Sequence, residues 1–300
     1  MASKVSFHRK SLLFAALVAS ILLAVSPGWA RDLDEIRESG VLRHIGVPYA
    51  NFVTGSGDGL DVELIKLFAE HLGVRYEFVE SDWTTVIADL TGKEIRVKGD
   101  EVEVLGEVAP RGDIIANGLT ILPWRQKVLS YSIPTFPTQI WLVARSDAPM
   151  DPIAPSGDVE KDIGAVRSLL KDYSVMGKLN TCLDPSLYFL EGVADKIVLF
   201  DEGLNRIAPA IINGEADSAL LDVPDALIAL FKWPGRIKII GPLSPMQNMG
   251  CGLRQDSPEL LQAFNAFYRK ILQDGSYVEL VKKYYPAVFS YYPDFFASPQ

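Results

Sequence analysis

Short apolar runs alternate along the chain with stretches in which apolar residues recur every three or four positions, and the rhythm continues almost to the C-terminus. Residues 32–39 (DLDEIRES) read as a short helix with Ile36 inward, closed by Gly40 and followed by a strand over 41–45. After a loop at Pro48–Phe52, Leu60, Leu64, Leu67, Phe68 and Leu72 fall at helical spacing within residues 59–74, and Gly73 closes that helix. A strand over 75–79 and a helix over 81–90 come next, with Asp82 as N-cap. Residues 113–116 (DIIA) form a buried strand that meets Asn117-Gly118, where the backbone can turn. In the second half the pattern predicts helix 158–171, entered near Ser156 or Asp158, strand 174–179, helix 181–190, strand 197–200, helix 204–212, strand 216–222 and a helix over DVPDALIALF. A last strand, a helix with Leu260, Leu261, Phe264 and Phe267 inward, a DGSY turn and a helix ending KKYYP complete the order. Strand–helix alternation with short connections predicts parallel α/β sheets flanked by helices.

Two stretches stand apart. Residues 94–107 alternate apolar and charged positions around Gly99-Asp100 and predict a β-hairpin, either a solvated decoration or a docking surface. The run Gly55-x-Gly57-x-Gly59 lies in a long loop, so it lacks the tight strand-to-helix turn of a dinucleotide site. The aromatic tail 288–296 (VFSYYPDFF) is expected to pack over the first part of the fold.

The N-terminus carries Lys4, Arg9 and Lys10, an apolar run from Leu12 to Val25, and small residues up to Ala30. That order predicts a secretory signal peptide over 1–30, with no cysteine after it for a lipid anchor, and hence a periplasmic protein. The remaining length exceeds one typical core, so two lobes are expected. Removing the leader takes the basic residues from 29 to 26 against 38 acidic ones, a net −12, which argues against nucleic acid as partner. Cys182 and Cys251 could pair in an oxidising compartment, although spacing alone does not show it. His8, His44 and His71 are scattered, so no metal and no cofactor are expected.

One arginine carries the chemistry. Arg125 follows a polar ledge (Asn117, Gly118, Thr120) and lies in a helix opened by Pro123, where its planar fork of donors suits a carboxylate. The whole stretch, DIIANGLTILPWRQKVLSYS (113–132), resembles the D-x-I-x-x-x-(M/L)-(T/S)-I-x-x-x-R…(F/Y)-S-x-P segment of the periplasmic solute-binding proteins of family 3, the amino-acid-binding type. The resemblance covers nearly all of the chain beyond the leader, apart from the hairpin and the tail.

It implies an α/β fold of two lobes, each a sheet flanked by helices, joined by a two-strand hinge. Lobe 1 would comprise 31–138 and 248–300, and lobe 2 would comprise 139–247. It also implies a ligand site. Arg125 falls on the carboxylate-binding arginine; Asn117, Gly118 and Thr120 fall on the ledge beneath the ligand's α-groups; Tyr49 and Trp83 fall on aromatic walls. The strand EADSALLD resembles the family's (R/E)-x-D-x-x-x-x-D, whose last aspartate, here Asp222, binds the α-ammonium; Asp222 could equally cap the next helix. Thr181 sits where the family has G-T-T or G-S-T, but here the surroundings read Asn180-Thr181-Cys182, a departure that puts that contact in doubt. A monomer that closes on an amino acid or related small carboxylate and docks on the permease of an ABC importer is the implied function. An enzyme of the same scaffold that dehydrates a cyclic carboxylic acid, with Asp184 or Asp222 as general acid, is an alternative. So is a sensor that reports occupancy to a separate membrane receptor through the hairpin.

Overall fold

The structure, a computed structural model, describes residues 31–296; the leader expected at 1–30 lies outside the described residues. Chain order begins α1 (Leu33–Ser39), β1 (Val41–Gly46), α2 (Leu60–Leu72), β2 (Arg75–Glu80) and α3 (Val86–Thr91), then the hairpin strands β3 (Lys93–Lys98) and β4 (Glu101–Glu107). It continues through β5 (Ile114–Ile115), the single-turn α4 (Pro123–Gln126), β6 (Ser130–Tyr131), β7 (Phe136–Thr138) and β8 (Ile140–Arg145). The second half supplies α5 (Val159–Leu169), β9 (Ser174–Gly177), β10 (Lys196–Leu199), α6 (Ile207–Ile212), β11 (Ser218–Asp222), α7 (Val223–Lys232) and β12 (Ile237–Pro242). Last come β13 (Gln247–Met249), β14 (Gly252–Leu253), α8 (Pro258–Gln273), α9 (Ser276–Tyr284) and α10 (Val288–Tyr291).

These strands form two five-stranded sheets, ordered β2-β1-β5-β14-β6 and β10-β9-β11-β8-β12. The orders correspond position by position. In each, three strands from consecutive strand–helix units run parallel, and the fourth runs antiparallel to its neighbours. The sheets are therefore mixed where the sequence predicts parallel ones. The physical reason lies in connectivity, since β14 and β8 are the strands that arrive from the other lobe and enter their sheets from the opposite end. The two crossings, β7 and β13, pair antiparallel with Phe136 opposite Met249 and Thr138 opposite Gln247, forming the two-strand hinge.

Local chemistry sets several element ends. The carboxylate of Asp158 accepts the N–H groups of Glu160 and Lys161 at the start of α5, and Gly73 ends α2 in the left-handed region at φ 72°. Asp82 likewise accepts the N–H of Thr84 at 2.7 Å and of Thr85 at 3.0 Å, but this caps a turn, and α3 starts only at Val86. Two adjacent β-branched threonines weaken the helix there. The helix predicted over 181–190 is only a 3-10 turn, Pro185–Tyr188. Asn180 and Phe189 flank it with positive φ, and Pro185 supplies no N–H, so an α-helix cannot run through. The hairpin forms as predicted, turning at Gly99-Asp100 with a bulge between Glu94 and Ile95. The aromatic tail covers more than the first lobe: Phe296 lies 5.8 Å from Phe136 on the hinge strand, and Tyr291 lies 5.3 Å from Trp141 on β8 (ring centroids). Cys182 and Cys251 are both buried and free.

Candidate ligand-binding cleft

The ledge begins where β5 ends. Gly118 takes φ 66°, and its N–H donates to Asp61 Oδ2 at 2.7 Å, a buried contact from α2. The chain then runs extended to Thr120, which bridges to Met249 beside the hinge, and Pro123 opens α4. Arg125 follows two residues later and is 2% exposed. Its Nη1 donates to the Thr120 carbonyl at 3.0 Å, and its Nη2 reaches across to the Asn180 carbonyl of the second sheet's side at 3.5 Å. The guanidinium carbon lies 5.1 Å from the Trp124 ring and 5.8 Å from the Trp83 ring, so two aromatic faces fix its plane.

Tyr49 and Trp83 meet edge to face at 5.6 Å and 86°. The Tyr49 hydroxyl faces the Asp222 carboxylate without closing a hydrogen bond of ordinary geometry; burial first, and that charge second, push its pKa well above normal. Asp222 is fully buried at the end of β11, and one oxygen accepts the N–H of Asp225 at 3.1 Å. The other accepts from Cys182 Sγ at 3.7 Å. The capping role left open by the sequence is thus real, and it occupies only one of the two oxygens. Burial pushes the Asp222 carboxyl up to about 6, against the lowering effect of Tyr49 and the Asp225 N–H. Arg125 and Asp222 form no ion pair with each other among the described residues.

Thr181 behaves differently. Its hydroxyl donates to the Lys178 carbonyl at 2.8 Å and accepts the Leu183 N–H at 3.0 Å, so it is spent on its own loop. The neighbouring Asn180 contributes its carbonyl to Arg125 instead.

Among the described residues, ten buried side-chain nitrogen or oxygen atoms have no hydrogen-bond partner, and six of them sit in one place: Tyr49 Oη, Trp83 Nε1, Asn117 Nδ2 and Oδ1, Thr120 Oγ1 and Arg125 Nε. Burying a polar group unpaired costs about 1–3 kcal/mol. These five residues therefore hold donors and acceptors that the rest of the protein does not satisfy. No three described His, Cys, Asp or Glu side chains gather closely enough to hold a metal ion.

The sequence matches the bacterial extracellular solute-binding proteins, family 3, over residues 108–287, more than half of the chain. The chain belongs to that family. Over 297 residues this solute-binding protein is 25% identical to the lysine/arginine/ornithine-binding periplasmic protein of Escherichia coli (strain K12), which spans 95% of this chain and 100% of the relative. Among solved structures it is similar to a mutant of ArgBP from T. maritima (TM-score 0.67, 24% identity, 85% of this chain and 99% of that one). It is also similar to the ancestral amino acid-binding protein AncCDT-1, a precursor of cyclohexadienyl dehydratase (TM-score 0.65, 24% identity, 84% and 98%). These two likenesses concern the fold.

Several residues around the cleft of this solute-binding protein escape a reading of motifs. Asp61 and Asp225 are buried acids, Thr138 and Gln247 are a cross-strand hinge pair with unpartnered side-chain oxygens, and Asn205 Oδ1 accepts the Ala50 N–H from across the cleft at 2.8 Å. A signal existed for the acids. Asp61 lies on the helical stripe of Ile65 and Phe68, and Asp225 on that of Ala229, so each is a charge on an apolar face.

Proposed function

We propose that this protein captures an amino acid or closely related small carboxylate between its lobes, in the periplasm, and presents the closed form to the permease of an ABC importer. The observation that carries the reading is the convergence of Arg125, the Asn117–Thr120 ledge, Tyr49, Trp83 and Asp222 on one buried cleft with unsatisfied donors and acceptors. In this reading the ligand carboxylate takes the Arg125 fork and the ledge, and its ammonium takes Asp222. A zwitterion held by groups from both lobes favours closure, because it gains its full contacts only when the lobes meet. The lobes are taken as 31–138 with 248–300, and 139–247, turning about the β7–β13 pair. The amino-acid ligand of the E. coli relative supports the same ligand class.

A thermal-shift screen of amino acids and small carboxylates tests it. A ligand at about 100 times its dissociation constant stabilises by about 2.7 kcal/mol. If no amino acid raises the melting temperature, the reading is wrong.

One observation favours a second reading. A buried carboxyl raised to about 6, such as Asp222, could protonate a leaving group, and AncCDT-1 is a precursor of a dehydratase. Asp184 suits that role less well, since its carboxylate is taken up by the N–H groups of Asn180 and Ser186 and the Ser186 hydroxyl. Turnover of a cyclic carboxylic acid by purified protein, abolished in Asp222→Asn, would establish this activity.

A further inference from the structure

Charge in the cleft does not balance. Among the described residues Arg125 is the buried basic group placed there, whereas Asp222, at the end of β11, and Asp225, in the first turn of α7, are both buried. The Asp225 N–H donates to Asp222, the cap of α7, so the two residues share the start of that helix, and Asp225 Oδ2 is buried without a hydrogen-bond partner. Neither carboxylate takes part in an ion pair among the described residues. The charges acting on Asp225 are those of Asp222 and, two helical turns on, Lys232 of the same helix, and its own charge acts on the hydroxyls of Tyr49 and Tyr285. Arg125 and Asp222 between them satisfy the two ends of a zwitterion, so Asp225 is an acid in excess.

We propose that Asp225 is a further specificity residue of the cleft, which favours amino acids with a basic side chain over those with a neutral or acidic one. This rests on the amino-acid reading above. Near Asp222 and out of water, an ionised Asp225 needs a cation; burial, then the Asp222 charge, drive its pKa well above normal, so its proton and a ligand cation compete for the same carboxylate. A cationic side chain displaces that proton and pairs with the carboxylate, while an acidic side chain meets like charge.

Isothermal titration of L-arginine, L-lysine, L-glutamine and L-glutamate into the wild type and Asp225→Asn provides the test. The basic pair should bind about tenfold or more tighter than the other two, and Asp225→Asn should compress that preference severalfold. Wild-type titrations of L-arginine near neutral pH, in two buffers of different ionisation enthalpy, should release up to about one proton, a readout independent of whether the variant folds. Binding of all four with unchanged ratios in Asp225→Asn, or with no proton released, overturns the role of Asp225 alone. If none of the four binds the wild type, the amino-acid reading has failed and this claim falls with it.

Discussion

The Asp61 carboxylate accepts the N–H of Gly118 at 2.7 Å, so the turn that begins the polar ledge is held from beneath by a buried acid on α2. Burial raises the Asp61 pKa from 3.8 to about 7, against the lowering effect of the Gly118 N–H. The folded protein thus binds this proton more tightly than the unfolded chain does. Its stabilising contribution is fully present below pH 4 or so and is lost as pH rises towards about 7, a change on the order of 4 kcal/mol. Asp61→Asn keeps an acceptor for Gly118 and removes the titration. Denaturant melts across that range should show a flatter pH dependence in the variant, and an unchanged slope would assign the effect elsewhere.

Arg125→Ala is expected to weaken carboxylate binding by about tenfold to a thousandfold. Arg125→Lys should recover little of it, because an ammonium cannot lie between Trp83 and Trp124 and also reach the carbonyls of Thr120 and Asn180. Titration calorimetry with a ligand found by thermal shift reads both; full affinity in the lysine variant would remove the fork from the account.

Gly118→Ala should lower stability by about 1–3 kcal/mol. The residue sits at φ 66°, and a Cβ there would lie 2.5 Å from Phe52 Cδ2. Phe52 cannot withdraw easily, since Phe136 and Tyr285 pack on it at 5.2 and 4.9 Å. Chemical denaturation measures the loss, and a variant as stable as the wild type would contradict this packing.

Buried thiols should react slowly. Burial pushes Cys182 up to about 12 and Cys251 well above normal, so a thiol reagent should label neither in the native state and both after unfolding. Rapid native labelling of Cys182 would show that the cleft opens far more readily than its buried contacts suggest.

The hairpin of β3 and β4 is largely exposed. Replacing residues 94–107 by a short turn should preserve the thermal shift given by ligand. Loss of that shift would make the insert part of the cleft.

Much of this protein is written locally. Gly40 and Gly73 end helices, Asp158 begins one, Pro123 opens the turn that carries Arg125, and the Gly99-Asp100 pair turns the hairpin, each through forces acting within a few residues. Sequence alone therefore determined the order of elements and the two α/β halves. Tertiary structure decided what depends on groups far apart in the chain. It reversed one strand in each sheet, because those strands cross from the other lobe. It also placed Asp61 under Gly118 and brought the Asn180 carbonyl to Arg125. A charge on an apolar stripe is visible in a sequence, but its partner is fixed only when the chain folds and water is excluded around it.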